Sequence, residues 1–527
     1  MGLFSIDSTV SDGYNLLYPM AYFDTYLVDN CGREIRSWTS AYRCRTVAYL
    51  REDGSLLRAG NAGGINLNGG GAGGILEIFD WNGNQTWELT FSDSLRRQHH
   101  DLEPLPNGNF LFFAWEKKTK AEAAAMGRDT SNLTLYFWSE MIAEIEPVGN
   151  DSANIVWEWH SWDHLVQDFD STKSNFDTVA NLPELININA HDDIPAGSSD
   201  WLHFNSIDYH PGFDQVLVSV HGFSEIWVID HSTTTLEAAS HSGGNSGKGG
   251  DILYRWGNPQ HYDQGDSSDQ VLFEQHDARW IADTLIFGGK IMVFNNGLGR
   301  PGGNYSSVDV ITPPVDSSGN YQLFPSLPYG PAGLDYTYDG GASQWFSLNI
   351  SGAEPLPNDH ILICDGPDGR SFEIDTSGNI HWEYVNPVNF NGPSTQGGSP
   401  GNNQQFRIER YPVSYPAFTG KTLTPGNRLE INPDPLPAEC MPVSGESILI
   451  SNFMFEASPN PFSDFLLIRS GDGNAISLEL TDVLGRMVWN ADLISTESRI
   501  ETSALQPGIY HLSVAGYFRQ SIRLVKY

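Results

Sequence analysis

Short apolar runs broken by polar turns fill most of the 527-residue chain. Within the runs apolar and polar residues alternate, the period of a strand with one buried face, and Asn/Asp-Gly pairs between runs are hairpin turns. Two phrases recur. In one, an Asp or Asn turn with Gly leads within a few residues to Trp: Asp29-Asn30-Cys31-Gly32 to Trp38, Asp80-Trp81-Asn82-Gly83 to Trp87, Asn150-Asp151 to Trp157, Gly250-Asp251 to Trp256, and Asp375-Thr376-Ser377-Gly378 to Trp382. The other opens a unit, as in Leu105-Pro106-Asn107-Gly108-Asn109 and Leu356-Pro357-Asn358-Asp359, and in weaker form Glu52-Asp53-Gly54-Ser55. The phrases delimit units near 14–40, 45–92, 99–160, 203–257, 276–325 and 346–386, with Phe406–Tyr411 as the strand expected to close against the first. One such unit cannot bury both faces alone. The pattern therefore predicts an all-β chain whose units pack radially into a six-bladed β-propeller over residues 1–412. A plain sandwich would leave the repeated phrases unexplained.

Other segments break the pattern. Lys117–Met126 (KKTKAEAAAM) is rich in good helix formers and predicts a helical insertion. Gly/Ser/Asn-rich tracts at 59–74, 240–250 and 390–404 read as long loops, and a Pro-rich stretch at 413–454 reads as a linker. Beyond it, 455–527 predicts a small second β domain, a sandwich.

Composition narrows the function. With 39% hydrophobic and 12% aromatic residues, 15 of them Trp, the chain can bury a large core and is not a disordered protein. Lys+Arg total 29 against 65 Asp+Glu, a formal charge of −36, and no basic run offers a surface for nucleic acid. No apolar stretch reaches the ~18 residues of a transmembrane helix. Cys31, Cys44, Cys364 and Cys440 fit neither a metal motif nor a CxxC pair. Cys31 and Cys44 are close enough in sequence to close a short disulfide loop, while four buried thiols is the other reading. Met1-Gly2-Leu3-Phe4-Ser5 lacks the basic and apolar regions of a secretory leader, so the N-terminus gives no address.

Histidine carries the candidate chemistry. Of 15 His, 12 lie between His99 and His276. His99-His100-Asp101, His203-Phe204-Asn205 and His276-Asp277 fall where the innermost strand of a unit should begin. Equivalent strand starts surround the mouth of a propeller channel. Residues two apart on a strand share a side, so His203 and Asn205 should point together. The expected result is one solvated pocket lined by imidazoles and an amide, suited to an anion with several oxygens. Each His beside an Asp also has a plainer reading as a turn or capping hydrogen bond. A metal centre is the third reading, but no HxxxH or HExxH spacing supports it, and no cofactor is expected.

Several strings resemble a known family. HHDLEPLPNGN, HFNSIDYHPGFDQVLVS, QHDARW, VFNNGLGR, ISGAEPLPNDHILICDGPDGRSFEID and IHWEYVNP, in order over roughly residues 15–410, look like the bacterial arylsulfotransferases that do not use a nucleotide donor. The resemblance implies a six-bladed propeller moving a sulfuryl group from an aryl sulfate to a phenol through a sulfohistidine. By motif, His276 matches the nucleophile, and His100, His203 and Asn205 match residues holding the sulfate oxygens. Because His276 and His100 each precede an Asp, His100 is favoured over His99. Where many members have Arg after the VLVS strand, this chain has His221, and Arg300 in NNGLGR is a substitute for that charge or a partner in a loop ion pair. The chemistry agrees with the residue types. A neutral imidazole has a free nitrogen to attack sulfur, and a phenol of pKa ~10 leaves readily. Ser458-Pro459-Asn460-Pro461-Phe462, Leu480–Arg486, Leu505–Tyr510 and Leu524–Tyr527 resemble the C-terminal sorting domain of the type IX secretion system. That implies export, partnership with the secretion machinery, and a secreted or cell-surface protein. The alternatives are an exported propeller that binds a sulfated or other anionic ligand without catalysis, and a metal-dependent hydrolase or lyase on the same scaffold.

Overall fold

The computed structural model describes residues 1–527 except 65–66, 134, 191–198, 342–343, 399–400, 441–446, 451–452, 459–460, 471–475, 484–485, 494–496, 515–520 and 527. Parts of the expected loops at 59–74 and 390–404, of the 413–454 segment and of the sorting-domain landmarks thus lie outside the described residues. The chain divides into two compact units, Met1–Asp434 and Pro435–Tyr527.

The first unit holds six antiparallel sheets of four or five strands. Their leading strands, in chain order, are Cys44–Leu50, Arg96–Pro104, Phe204–His210, His276–Trp280, Gly352–Pro355 and Glu409–Pro412. Five of the sheets run on as simple meanders from these strands. The sixth is completed from the other end of the chain, where Glu409–Pro412 pairs with Gly13–Leu17, followed by Asp24–Asp29 and Glu34–Thr39. Gly2–Ile6 adds an outer strand to the fifth sheet.

The repeated phrase has a physical cause at both ends. In the turns at Asp29, Asp80 and Asp375 the carboxylate accepts the backbone N–H four residues on, at 2.9 Å each. The glycine between, Gly32, Gly83 or Gly378, has φ of 75°, 87° or 84°, a conformation costly for a side chain. The Trp then joins its sheet to the following one through its indole N–H. Trp38 donates to the Asp80 carbonyl (2.9 Å), Trp87 to Ser152 (2.7 Å), Trp157 to the Thr233 hydroxyl (3.0 Å), Trp256 to Pro331 (2.9 Å) and Trp382 to Asn30 (2.7 Å). These indoles are buried, so each satisfied N–H removes a desolvation cost while the ring fills the space between sheets.

The leading strands are stitched by side chains that capture a neighbour's backbone. Asp101 accepts the Ile207 N–H (3.0 Å), Asp208 that of Trp280 (2.5 Å), Asp277 that of Ala353 (2.9 Å) and Glu354 that of Arg410 (2.6 Å). The Tyr411 hydroxyl accepts the Leu50 N–H (2.9 Å), and Tyr49 donates to Asp101 (2.9 Å). Arg407 sits among them, pairing with Asp101 at 2.6 Å, Asp277 at 2.7 Å and Glu409 at 3.4 Å.

Some expectations shift. The helix spans Lys120–Ala125, because Lys117 to Thr119 continue the strand paired with Tyr136–Val148 and Thr119 caps the helix in a reciprocal box with Glu122. A short helix at Thr235–Ala238, capped the same way by Thr234 and Glu237, was not anticipated. A disulfide between Cys31 and Cys44 does not form. Cys31 and Cys440 are each disulfide-bonded, whereas Cys44 is a free thiol wholly buried in the apolar core, as is Cys364. Of the stretch read as a linker, residues up to Asp434 belong to the first unit. There Phe418 meets Tyr14 edge-on at 5.0 Å, and Arg428 and Ile431 bridge to Arg33 and Thr395.

The second unit has two four-stranded antiparallel sheets. They share one apolar cluster that includes Phe462, Leu466, Leu480, Tyr510 and Leu524.

Arg407→Met is expected to destabilise the first unit by about 3–5 kcal/mol, since it leaves the buried Asp101 without its cation while Asp277 and Glu409 keep Arg279. A urea midpoint equal to that of the wild type would show that the ion cluster does not hold the sheets.

Candidate active site

Four histidines from three sheets meet at one end of the leading strands. The His100 and His203 rings lie 4.6 Å apart, His203 and His221 4.9 Å, and His221 and His276 5.2 Å. The Phe406 ring packs near both His100 (6.0 Å) and His276 (6.2 Å). His100 and His203 hold left-handed backbone, with φ of 49° and 52°, as does Asp277 at 51°. These turns lift the chain out of strand geometry where the imidazoles converge. A strap of glycines covers two of them: a Cβ on Gly71 would lie 2.2 Å from His100 Nε2, and one on Gly70 would lie 3.5 Å from His203.

His276 is buried, and its tautomer follows from its neighbours. Asn296 spends its amide hydrogens on the carbonyls of Ser347 (2.9 Å) and Ile350 (3.0 Å), so its Oδ1 faces His276 Nδ1 at 2.8 Å. Nδ1 therefore carries the hydrogen and Nε2 the lone pair. The Ile350 N–H donates to that nitrogen at 3.2 Å. Burial, helped by the charge of His203, pushes the His276 pKa down to about 3 against the pull of Asn296, so the ring is neutral at pH 7. His100 is likewise held well below the ordinary value by burial first and then by His203.

His203 is the opposite case. Burial disfavours its charge, but the Asp200 carboxylate at 2.6 Å, with Glu274 beyond it, lifts the pKa above the usual histidine value. His221 Nε2 lies 3.6 Å from Glu274. The cluster thus combines neutral imidazoles, one with an Nε2 lone pair that accepts only the long Ile350 N–H contact, and a histidine whose charged form Asp200 favours.

The other residues singled out in the sequence sit differently. Asn205 is fully buried and donates to the Gln275 carbonyl at 2.7 Å, next to the His276 strand start. A bulge between Phe204 and Ser206 breaks the simple alternation with His203. Arg300 donates to Ser307 (2.6 Å), approaches Asp309 (3.9 Å) and lies over the Tyr305 ring. His99 stacks on Trp115 (4.0 Å, 9°) behind His100. Sequence reasoning missed Asn296, Asp200, Glu274 and Ile350. Asn296 and Ile350 lay within quoted strings, NNGLGR and ISGAEPLPNDH, without being singled out.

A cavity of about 390 Å³ opens beside His221 and Glu274, bounded also by Asn258, Gln260 and Phe273. A larger one, about 710 Å³, is lined by Tyr49, Glu52, Asp53, Glu103 and Glu409. Its carboxylates repel an anion, so the histidine end is the candidate anion site. Among the described residues, one group brings three possible metal ligands within 4.8 Å of one another: His164, His241 and Asp251. Both imidazoles use Nδ1 on the same Asp251 oxygen (2.8 and 2.7 Å), and none of the four clustered histidines belongs to it.

The family model for arylsulfotransferases matches residues 22–319, more than half of the chain, and the protein belongs to that family. Residues 457–524 match the secretion-system C-terminal sorting domain. The protein is accordingly a sulfotransferase enzyme that is exported and then secreted or held at the cell surface. No helix among the described residues is long and apolar enough to cross a membrane. No curated protein matches the chain. Similar solved structures are distant. A Bacteroides caccae protein of unknown function shares 11% identity, with 76% of this chain and 98% of that one covered at a TM-score of 0.41. The Pseudomonas aeruginosa periplasmic gluconolactonase shares 12%, with 93% and 98% covered at 0.33. A putative 6-phosphogluconolactonase from Bacteroides fragilis shares 9%, with 77% and 99% covered at 0.33.

Asp200→Asn is expected to lower the titration midpoint of His203, read by NMR of the ring protons. A midpoint equal to that of the wild type would remove Asp200 as the group that favours the imidazolium.

Proposed function

We propose that the six sheets are the blades of a propeller, that the second unit is a β-sandwich, and that the histidine end transfers a sulfuryl group from an aryl sulfate to a phenol. The reading rests above all on His276 Nε2, a lone-pair nitrogen beside a cluster able to bind an oxyanion. In the first half-reaction Nε2 gives up its 3.2 Å hydrogen bond from the Ile350 N–H and attacks sulfur, the N–S bond forms and the S–O(aryl) bond breaks. The departing electron pair goes to the phenolate oxygen, which takes a proton from the His203 imidazolium. An acceptor phenol then returns its proton to His203 and attacks sulfur, and the N–S electrons revert to His276. His100 and His221 donate hydrogen bonds to the sulfate oxygens, worth roughly 2.7–4 kcal/mol each if they resemble other oxyanion donors. Asn205 steadies the carbonyl preceding His276. Arg300, engaged with Asp309, is a less direct participant. His221 in place of Arg leaves His203 as the main positive charge, so donor binding should weaken as pH rises through the His203 pKa.

After incubation with an aryl-sulfate donor, His276 is expected to carry an adduct of about 80 Da, the mass of SO₃. His276→Ala should reduce transfer to a phenol to background, and a chelator should have no effect. Transfer without the adduct would overturn the sulfohistidine. Aryl-sulfate binding without transfer would make the protein an anion-binding propeller instead, and chelator-sensitive hydrolysis would favour the metal-dependent reading.

A further inference from the structure

Behind His100 runs a buried chain of polar groups for which the transfer reaction has so far needed no role. Glu140, on the strand Tyr136–Val148, places Oε2 2.8 Å from His99 Nε2, and His99 Nδ1 lies 2.8 Å from His100 Nδ1. Glu140 Oε1 accepts the Phe204 N–H at 3.1 Å, and His99 is pinned by its stack on Trp115. The side chains of Glu140 and His99 are fully buried.

Each of the two short contacts holds one hydrogen, which leaves few arrangements. If Glu140 is ionised and the imidazoles are neutral, His99 Nε2–H must point at the carboxylate. His99 Nδ1 then accepts from His100 Nδ1–H, and His100 Nε2 is a bare lone pair. One more proton on the trio reverses every bond. His99 Nδ1–H then donates to His100 Nδ1, and His100 Nε2 bears the hydrogen.

We propose that Glu140 and His99 are positioning residues that form a proton relay with His100, fixing its tautomer so that Nε2–H faces the sulfuryl site as a donor. The inference rests on the sulfuryl-transfer reading, because a bare Nε2 would repel a sulfate oxygen. The surroundings favour the uncharged, proton-rich trio. Burial and then the Asp200 charge push Glu140 well above the carboxylate range, with Glu116 adding to it. Burial, then His203 and Arg97, hold His99 low. Around His100 the imidazoles of His203, His99, His276 and His221 all oppose a charge on it. When the trio loses its extra proton as pH rises, His100 turns from donor to acceptor.

The test is nitrogen-15 NMR of the full chain labelled in histidine. His100 is expected to show a protonated Nε2 and bare Nδ1 at neutral pH, and to reverse at alkaline pH. Glu140→Gln supplies an amide that donates to His99 and accepts from Phe204, so the neutral-pH pattern should persist in alkali. His99→Phe keeps an aromatic ring against Trp115 but removes the donor to His100, and the KM for an aryl sulfate should rise about tenfold or more with kcat less affected. A protonated Nδ1 on His100 at neutral pH, a Glu140→Gln protein that reverses as the wild type does, or an unchanged KM in His99→Phe would each overturn the relay. Predicted tautomers in a protein that transfers no sulfuryl group would leave the relay standing and remove only the functional reading. The wild-type spectrum decides even if a variant fails to fold.

Discussion

Arg407 and the carboxylates around it form the interaction on which the histidine end depends. A buried guanidinium and its acids carry a large desolvation cost that mutual attraction offsets only when the remaining lone pairs are also satisfied. Here they are. Asp101 takes the N–H groups of Leu102 and Ile207, and Asp277 takes that of Ala353 and two bonds from Arg279. Asp101 follows His100 and Asp277 follows His276, so the cluster that joins the leading strands also sets where two of the four imidazoles emerge. Left-handed backbone at His100 and Asp277 is unfavourable by itself. The Gly71 carbonyl on the His100 N–H at 2.8 Å, together with the Asp277 bonds, compensates for it.

An anion site in a protein of net charge −36 raises an electrostatic question. Beyond a Debye length of ~8 Å at physiological salt the overall charge is largely screened, so local groups decide. The carboxylates of the larger cavity lie with Tyr49, Glu103 and Glu409, farther along the leading strands from the imidazoles. At the histidine end Asp200, with Glu274 beyond it, favours the charged form of His203. For the proposed anion, short-range donors would therefore count for more than long-range attraction.

Much of this was legible in the sequence because it is periodic. The turn carboxylate, the turn glycine and the Trp that follows recur together, and each pairing has its own hydrogen bond in the structure. Three of the histidines were legible for the same reason, since they lie at or near the starts of leading strands, whereas His221 follows a second strand; the His-Asp pairs at 100–101 and 276–277 mark the residue turned to the cluster and the residue that locks it. What could not be read comes from single, unrepeated contacts. Glu140 sits on a third strand and Asp200 in a loop, so neither leaves a motif, and Ile350, though it opens a family string, acts through a backbone N–H that no residue type marks. Closeness in sequence misled for Cys31 and Cys44, because strand Cys44–Leu50 turns its first residue into the core. Arg300 stands in the right string but turns to Asp309, and a bulge breaks the alternation assumed for His203 and Asn205.

The same residue type performs opposite tasks a few ångströms apart because the atom behind each ring differs. His276 has an amide oxygen behind Nδ1, an acceptor that never donates, so the hydrogen stays on the inner nitrogen and the outer one keeps its lone pair. His100 has another imidazole there, whose proton can come from a buried acid, so its outer nitrogen can be a donor. His203 has the Asp200 carboxylate, which favours a hydrogen on both nitrogens. The hydrogen-bonding state of each ring is thus governed by the group behind it: Asn296 for His276, His99 with Glu140 for His100, and Asp200 for His203. Exchanging any of these for a residue of opposite hydrogen-bonding sense would change the role of the histidine in front of it without touching the ring.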